Sequence, residues 1–148
     1  MTRSEVRDFI ESGVTLLNEA GTYLEFGNGR VTELNSNRSN TYPKAWLDPL
    51  TVSTDLVNSM PFDNWSIVLR IAGKDAQDSK PEQYEAIVDT CDEIAQKLVK
   101  KYNDVASGYK LVTISGITRE PFIKKQADNT SGVILSFTLT SPDQTNLC

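Results

Sequence analysis

The chain has 148 residues and no histidine. That one absence removes the commonest general base, the Ser-His-Asp and Cys-His nucleophile arrangements, and the commonest transition-metal ligand. Cysteine is nearly missing too, with Cys91 and Cys148 the only two. They make no disulfide framework, and zinc sites built from Cys and His are excluded. Cys91 falls on the apolar stripe of a predicted helix, where a thiol acts as a small hydrophobe, and Cys148 is the last residue. Positive charge is short as well. Fifteen Lys and Arg stand against twenty Asp and Glu, a net charge of −5. The cations are scattered, whereas phosphate binding needs them clustered, so specific nucleic-acid binding is not expected. The one basic knot, Lys124-Lys125 with Arg119 nearby, reads as a solvated strand end. No apolar run approaches the ~20 residues that span a bilayer. Met1 to Glu5 leads into an amphipathic stretch and not into a signal-peptide core, so a cytoplasmic protein used without translocation is expected.

What is present fits one globular domain over residues 1–148. Hydrophobic residues make up 39% and charged residues 24%, ordinary values for a packed domain. Val6, Phe9, Ile10, Val14 and Leu17 recur at helical spacing, Thr2 and Glu5 have the spacing of a capping box, and Gly21 is placed to stop that helix. A second helix is predicted from Pro81 to Asn103. Ile87, Cys91, Ile94, Leu98 and Tyr102 form its stripe, and Ser79 with Glu82 offers a capping box. Acids stand early in it and bases late, and Glu93 precedes Lys97 by one turn. Strands are expected at 44–47 and 50–56, and above all at 64–72, where Trp65, Ile67, Leu69 and Ile71 alternate with Ser66 and Arg70. Three more follow Gly108, at 109–118, 121–127 and 132–140, as a meander. Gly27-Asn28-Gly29 between two β-rich runs predicts a hairpin turn, because glycine and asparagine tolerate positive φ. With the polar loop that follows, residues 22–41 form a candidate assembly arm. The fold class is therefore α+β: a largely antiparallel sheet with two helices packed on one face, plus a protruding β-hairpin.

The search for chemistry returns little. Gly27-Asn28-Gly29 lacks the helix and the Lys-Ser/Thr of a phosphate loop. Asp89, Asp92 and Glu93 are the densest carboxylates, and a solvated helix face explains them, since Lys97 and Lys100 continue the same surface. Asp75-Ala76-Gln77-Asp78 lacks the glycine and terminal glutamate of a calcium loop. The few aromatics, Trp46, Trp65, Tyr23, Phe26 and Phe62, read as core. No catalytic, cofactor-binding or metal-ligating residue is assigned, and the protein is not expected to be an enzyme or to carry a cofactor.

Taken in order, several segments resemble the tail terminator and tail-completion family of tailed bacteriophages. They are the N-terminal helix from Val6 to Leu17, the segment Tyr42-Pro43-Lys44-Ala45-Trp46-Leu47, the strand from Trp65 to Ile71, the turn at Gly73-Lys74-Asp75, the helix from Glu82 to Lys101 and the strand from Gly132 to Thr140. The hairpin at Gly27-Asn28-Gly29 and the Asn-rich loop have no counterpart in it. The resemblance implies a virion structural protein, assembled in the host cytoplasm. It would form a ring, hexamer or dodecamer, at the head–tail neck or tail terminus, with DNA passing through the lumen and other neck or tail proteins as partners. Phe26, Asn28, Gly29, Arg30, Asn37 and Arg38 are the expected subunit-interface residues. The alternative is a small ligand-binding regulatory module with a pocket between sheet and helices.

Overall fold

The computed structural model describes residues 1–29, 43–74, 80–108, 112–123 and 130–142. The chain opens with α1 (Arg3–Glu19), which begins at the expected capping box. Thr2 Oγ1 accepts from the Glu5 N–H at 3.2 Å, and Glu5 Oε2 accepts from the Thr2 N–H at 2.8 Å. Gly21, at φ 99°, turns the chain out of the helix as read from the sequence. The second helix, α2 (Pro81–Ser107), extends one turn past its expected end. Its N-cap is Lys80 and not Ser79, which lies outside the described residues. The returning side chain is Gln83 and not Glu82, its Oε1 accepting from the Lys80 N–H at 2.8 Å.

Among the described residues six strands form one sheet: β1 (Glu25–Asn28), β2 (Lys44–Leu47), β3 (Thr51–Val57), β4 (Met60–Lys74), β5 (Thr113–Ile123) and β6 (Thr130–Pro142). The order is β1-β2-β4-β6-β5, and every pairing is antiparallel except β1 with β2. β4 is long enough to carry β2 along its C-terminal half and β3 along its N-terminal half, both on one edge. Trp65, Ile67, Leu69 and Ile71 of β4 stand beside Leu139, Phe137, Leu135 and Val133 of β6 on one face, all buried. Both helices cover that face. Tyr102 of α2 stacks on Phe9 of α1, with centroids 5.9 Å apart, and tilts onto Phe137 at 5.5 Å. Ile94 and Leu98 are buried as expected, while Ile87 is only half-buried. The other face, with Val68, Arg70, Ile134, Ser136 and Thr138, is half-exposed.

Two expectations about the strands need correcting as well. The C-terminal β region is not a three-stranded meander among the described residues, because Thr118 and Pro121 lie inside the single strand β5. A bulge between Ser115 and Thr118, with Gly116 at φ 64°, absorbs the irregularity. Pro121 is tolerated because β5 is an edge strand. The second correction concerns Gly27-Asn28-Gly29, which makes no hairpin turn. Gly27 and Asn28 are strand residues of β1, paired in parallel with Trp46 and Leu47. The bare backbone of Gly27 lets the Trp46 ring lie against it, where a Cβ would collide with the indole. A packing contact thus overrides the local turn preference.

Candidate subunit interface

A hairpin arm does exist, thirty residues further on. β3 and β4 meet at a two-residue turn, Asn58-Ser59, flanked by the pair Val57 and Met60. Both turn residues have positive φ, 52° and 64°, the backbone of a type I′ turn whose twist matches paired strands. Thr54 Oγ1 donates to Asp63 Oδ1 at 2.8 Å, and Asn64 Nδ2 donates to Asp55 Oδ2 at 2.6 Å, tying the two strands side chain to side chain. Thr140 Oγ1 of β6 donates to Asn64 Oδ1 at 2.8 Å, which fastens the root of the arm to the sheet. At that root Trp65 is buried, with the Arg3 guanidinium 5.6 Å above its ring.

Every residue of β3 is exposed, on both faces, so no layer covers that strand of the arm. Its tip is apolar. Leu56 is 73% exposed on one face of the hairpin, and Val57 at 53% and Met60 at 47% are exposed on the other; large apolar side chains exposed beside one turn mark an interaction surface. Among the described residues β3 pairs with β4 alone, so its outer edge presents bare N–H and C=O groups to solvent. β5 is a second such edge at the opposite side of the sheet, where Ile117 and Ile123 are exposed.

The residues expected at an interface are distributed differently. Phe26 is partly buried and packs against the core. Asn28 is exposed, and Gly29 O accepts from Trp46 Nε1 at 3.0 Å. Arg30, Asn37 and Arg38 lie outside the described residues, as do Lys124-Lys125, the acidic run 75–78 and Cys148. Asn28 and Gly29 do come together with Arg3, Arg7, Leu47 and Leu50 around an open cleft of about 300 Å³. In its wall, Asp48 takes a bidentate grip from Arg70, with Nε and Nη2 each 3.0 Å from a carboxylate oxygen. The arm itself left a faint trace in the sequence: two polar residues, the first an Asn, between the apolar pairs Leu56-Val57 and Met60-Pro61.

Two carboxylates of α2, Asp92 and Glu93, have structural partners. Asp92 accepts from Arg119 Nη1 of β5 at 3.0 Å and from Gln96 Nε2 at 3.1 Å. Glu93 pairs with Lys97 at 3.4 Å, the one-turn pair read from the sequence. No group of three or more metal-ligating side chains occurs among the described residues. A shallow cavity of about 330 Å³ between α2 and the end of β4 is lined by Pro43, Gly73, Ile87, Thr90 and Cys91. Burial pushes the Cys91 thiol up to about 12, so it stays protonated and is a poor nucleophile. Among the described residues, no helix is long and apolar enough to cross a membrane.

No protein-family model matches the chain, and no curated protein sequence does either.

Proposed function

We propose that this chain is a structural subunit of a bacteriophage virion, building an oligomeric ring, hexamer or dodecamer, at the head–tail neck or tail terminus. The observation that carries the reading is the β3–β4 arm, an uncovered hairpin with an apolar tip and a bare strand edge. A monomer gains nothing from such an arm, since exposed edges and apolar tips invite association. The second bare edge, β5, lies at the other side of the same sheet. Different surfaces at opposite sides favour head-to-tail contacts, which close into rings when the rotation permits. The net charge of −5 suits a channel subunit, because an acidic lumen repels phosphate and lets DNA slide. Catalysis plays no part in this role. Other neck or tail proteins would stack on the ring, which forms in the host cytoplasm and ends in the virion.

The cavity beside Cys91 is what favours the alternative, a ligand-binding regulatory module. Native mass spectrometry and electron microscopy of the purified chain separate the two. Closed rings support the virion subunit. A monomer whose melting temperature rises with an added metabolite supports the module.

A further inference from the structure

We infer that the arm of one copy seats its tip in the arginine-lined cleft of a second copy, so that the subunit contact runs from the Asn58-Ser59 hairpin to the cleft between α1 and the end of β2. This rests on the reading of the chain as a self-assembling subunit and names the surfaces that meet. The arm from Thr51 to Ser66 carries two charged side chains, Asp55 and Asp63, both negative. Their recorded hydrogen-bond donors, Asn64 and Thr54, are neutral, so the charge is presented and not cancelled.

The cleft is its complement. Arg3 and Arg7 stand exposed at its rim and have no carboxylate partner among the described residues: Arg3 lies over Trp65, and Arg7 Nη2 donates to Ser4 Oγ at 3.2 Å. The one acid in the lining, Asp48, is engaged by Arg70. Pro49 and Leu50 give the cleft an apolar part for the apolar side chains that flank the arm's turn. The apolar tip supplies affinity, and the opposed charges supply orientation and rate of encounter.

The occupant is a second copy because an arm cannot reach the cleft of its own chain. Leu50, in the cleft lining, leads directly into β3, and the run from there to Asn58 is eight residues of extended chain. That places the tip roughly 25 Å from its own cleft, at ~3.3 Å per residue. Donor and acceptor surfaces are therefore different on each copy, the condition for head-to-tail propagation.

Charge reversal on each side tests it. One variant carries Arg3→Glu with Arg7→Glu, the other Asp55→Lys with Asp63→Lys, and sedimentation of each is compared with wild type, with circular dichroism as the check on folding. Each variant alone should associate at least about a hundredfold more weakly, because both contacts become repulsive. An equimolar mixture should regain wild-type assembly, since every arm then meets a cleft of opposite sign. Leu56→Gln, on an exposed strand, removes the most exposed apolar side chain of the arm without adding charge and should also weaken assembly. Variants that assemble as well as wild type, or a mixture that stays dissociated, overturn the arm-to-cleft contact while leaving self-assembly intact. A wild-type chain that stays monomeric at high concentration overturns the self-assembling reading itself.

Discussion

The ring of Tyr102 occupies the space in which a side chain on Gly13 would stand. Its phenol reaches past that glycine and donates to the carbonyl oxygen of Ile10 at 3.1 Å. Tyr102 thereby joins the two helices, since Phe9 and Phe137 flank the same ring from α1 and β6. Helix propensity alone favours alanine over glycine at position 13 by up to ~1 kcal/mol. Here the opposite holds. Gly13→Ala should lower stability by about 1–3 kcal/mol through overpacking against Tyr102, measured as a shift of the urea midpoint. An unchanged or raised midpoint would show that the helices separate at little cost.

Ile94 is 5% exposed, on the face of α2 that meets the core. Ile94→Ala should cost roughly 2–5 kcal/mol by leaving a cavity. A loss under ~1 kcal/mol would mean that the stripe does not pack as described.

Alkaline pH should weaken the fold through two buried acids. Burial raises Cys91 from 9.0 to about 12 and pushes the Tyr102 phenol up as well. Between pH 9 and 12 the unfolded chain releases the Cys91 proton and the folded chain keeps it. Stability is thus fully present below pH 9 and falls as pH rises, by about 1.4 kcal/mol per unit for one such group. Wild type compared with Cys91→Ala between pH 8 and 10.5 isolates the thiol. The difference in stability between the two should shrink above pH 9, and a constant difference would contradict the burial.

The turn at Asn58-Ser59 holds a serine at φ 64°, where glycine is at ease. Ser59→Gly should stabilise the arm by about 0.5–1 kcal/mol, since Asn-Gly is the preferred type I′ pair. A lower melting temperature for the variant would contradict that turn geometry.

Elements with strong periodicity were legible before folding. The Thr2–Glu5 box, the stripe of α2 and the alternation in β4 each depend on neighbours within one or two turns, so sequence spacing carries them. The sequence points to a hairpin turn at Gly27-Asn28-Gly29, whereas the hairpin turn among the described residues is at Asn58-Ser59. Glycine and asparagine advertise positive φ, but at Gly27 the missing side chain instead makes room for Trp46, nineteen residues away in the chain, and no local pattern encodes that contact. The turn at Asn58-Ser59 lacks glycine, so the sequence reading ends a strand at Leu56 and assigns no element from Val57 to Asp63. Arg119 suffered similarly: it reads as part of a basic knot, and the fold commits it to Asp92 of α2.

The carboxylates Asp89, Asp92 and Glu93 give a check on the proposal that the chain carries no catalytic site. Replacing all three by Asn or Gln should leave assembly and particle formation intact. The stability cost should be about 1 kcal/mol, because the Arg119 and Lys97 pairs are largely solvated. Loss of function in a variant that still folds and assembles would point to chemistry at α2.

The arm is best tested by removing it. Joining Thr54 to Asp63 through an Asn-Gly turn deletes Asp55 to Phe62 and leaves β4 paired with β6 from Asp63 onward. Native mass spectrometry at tens of micromolar, alongside circular dichroism, reads assembly and fold together. Wild type should give one closed ring species and the shortened chain a folded monomer. Rings from the shortened chain, or a wild-type chain that never leaves the monomer, would contradict assembly through the β3–β4 arm.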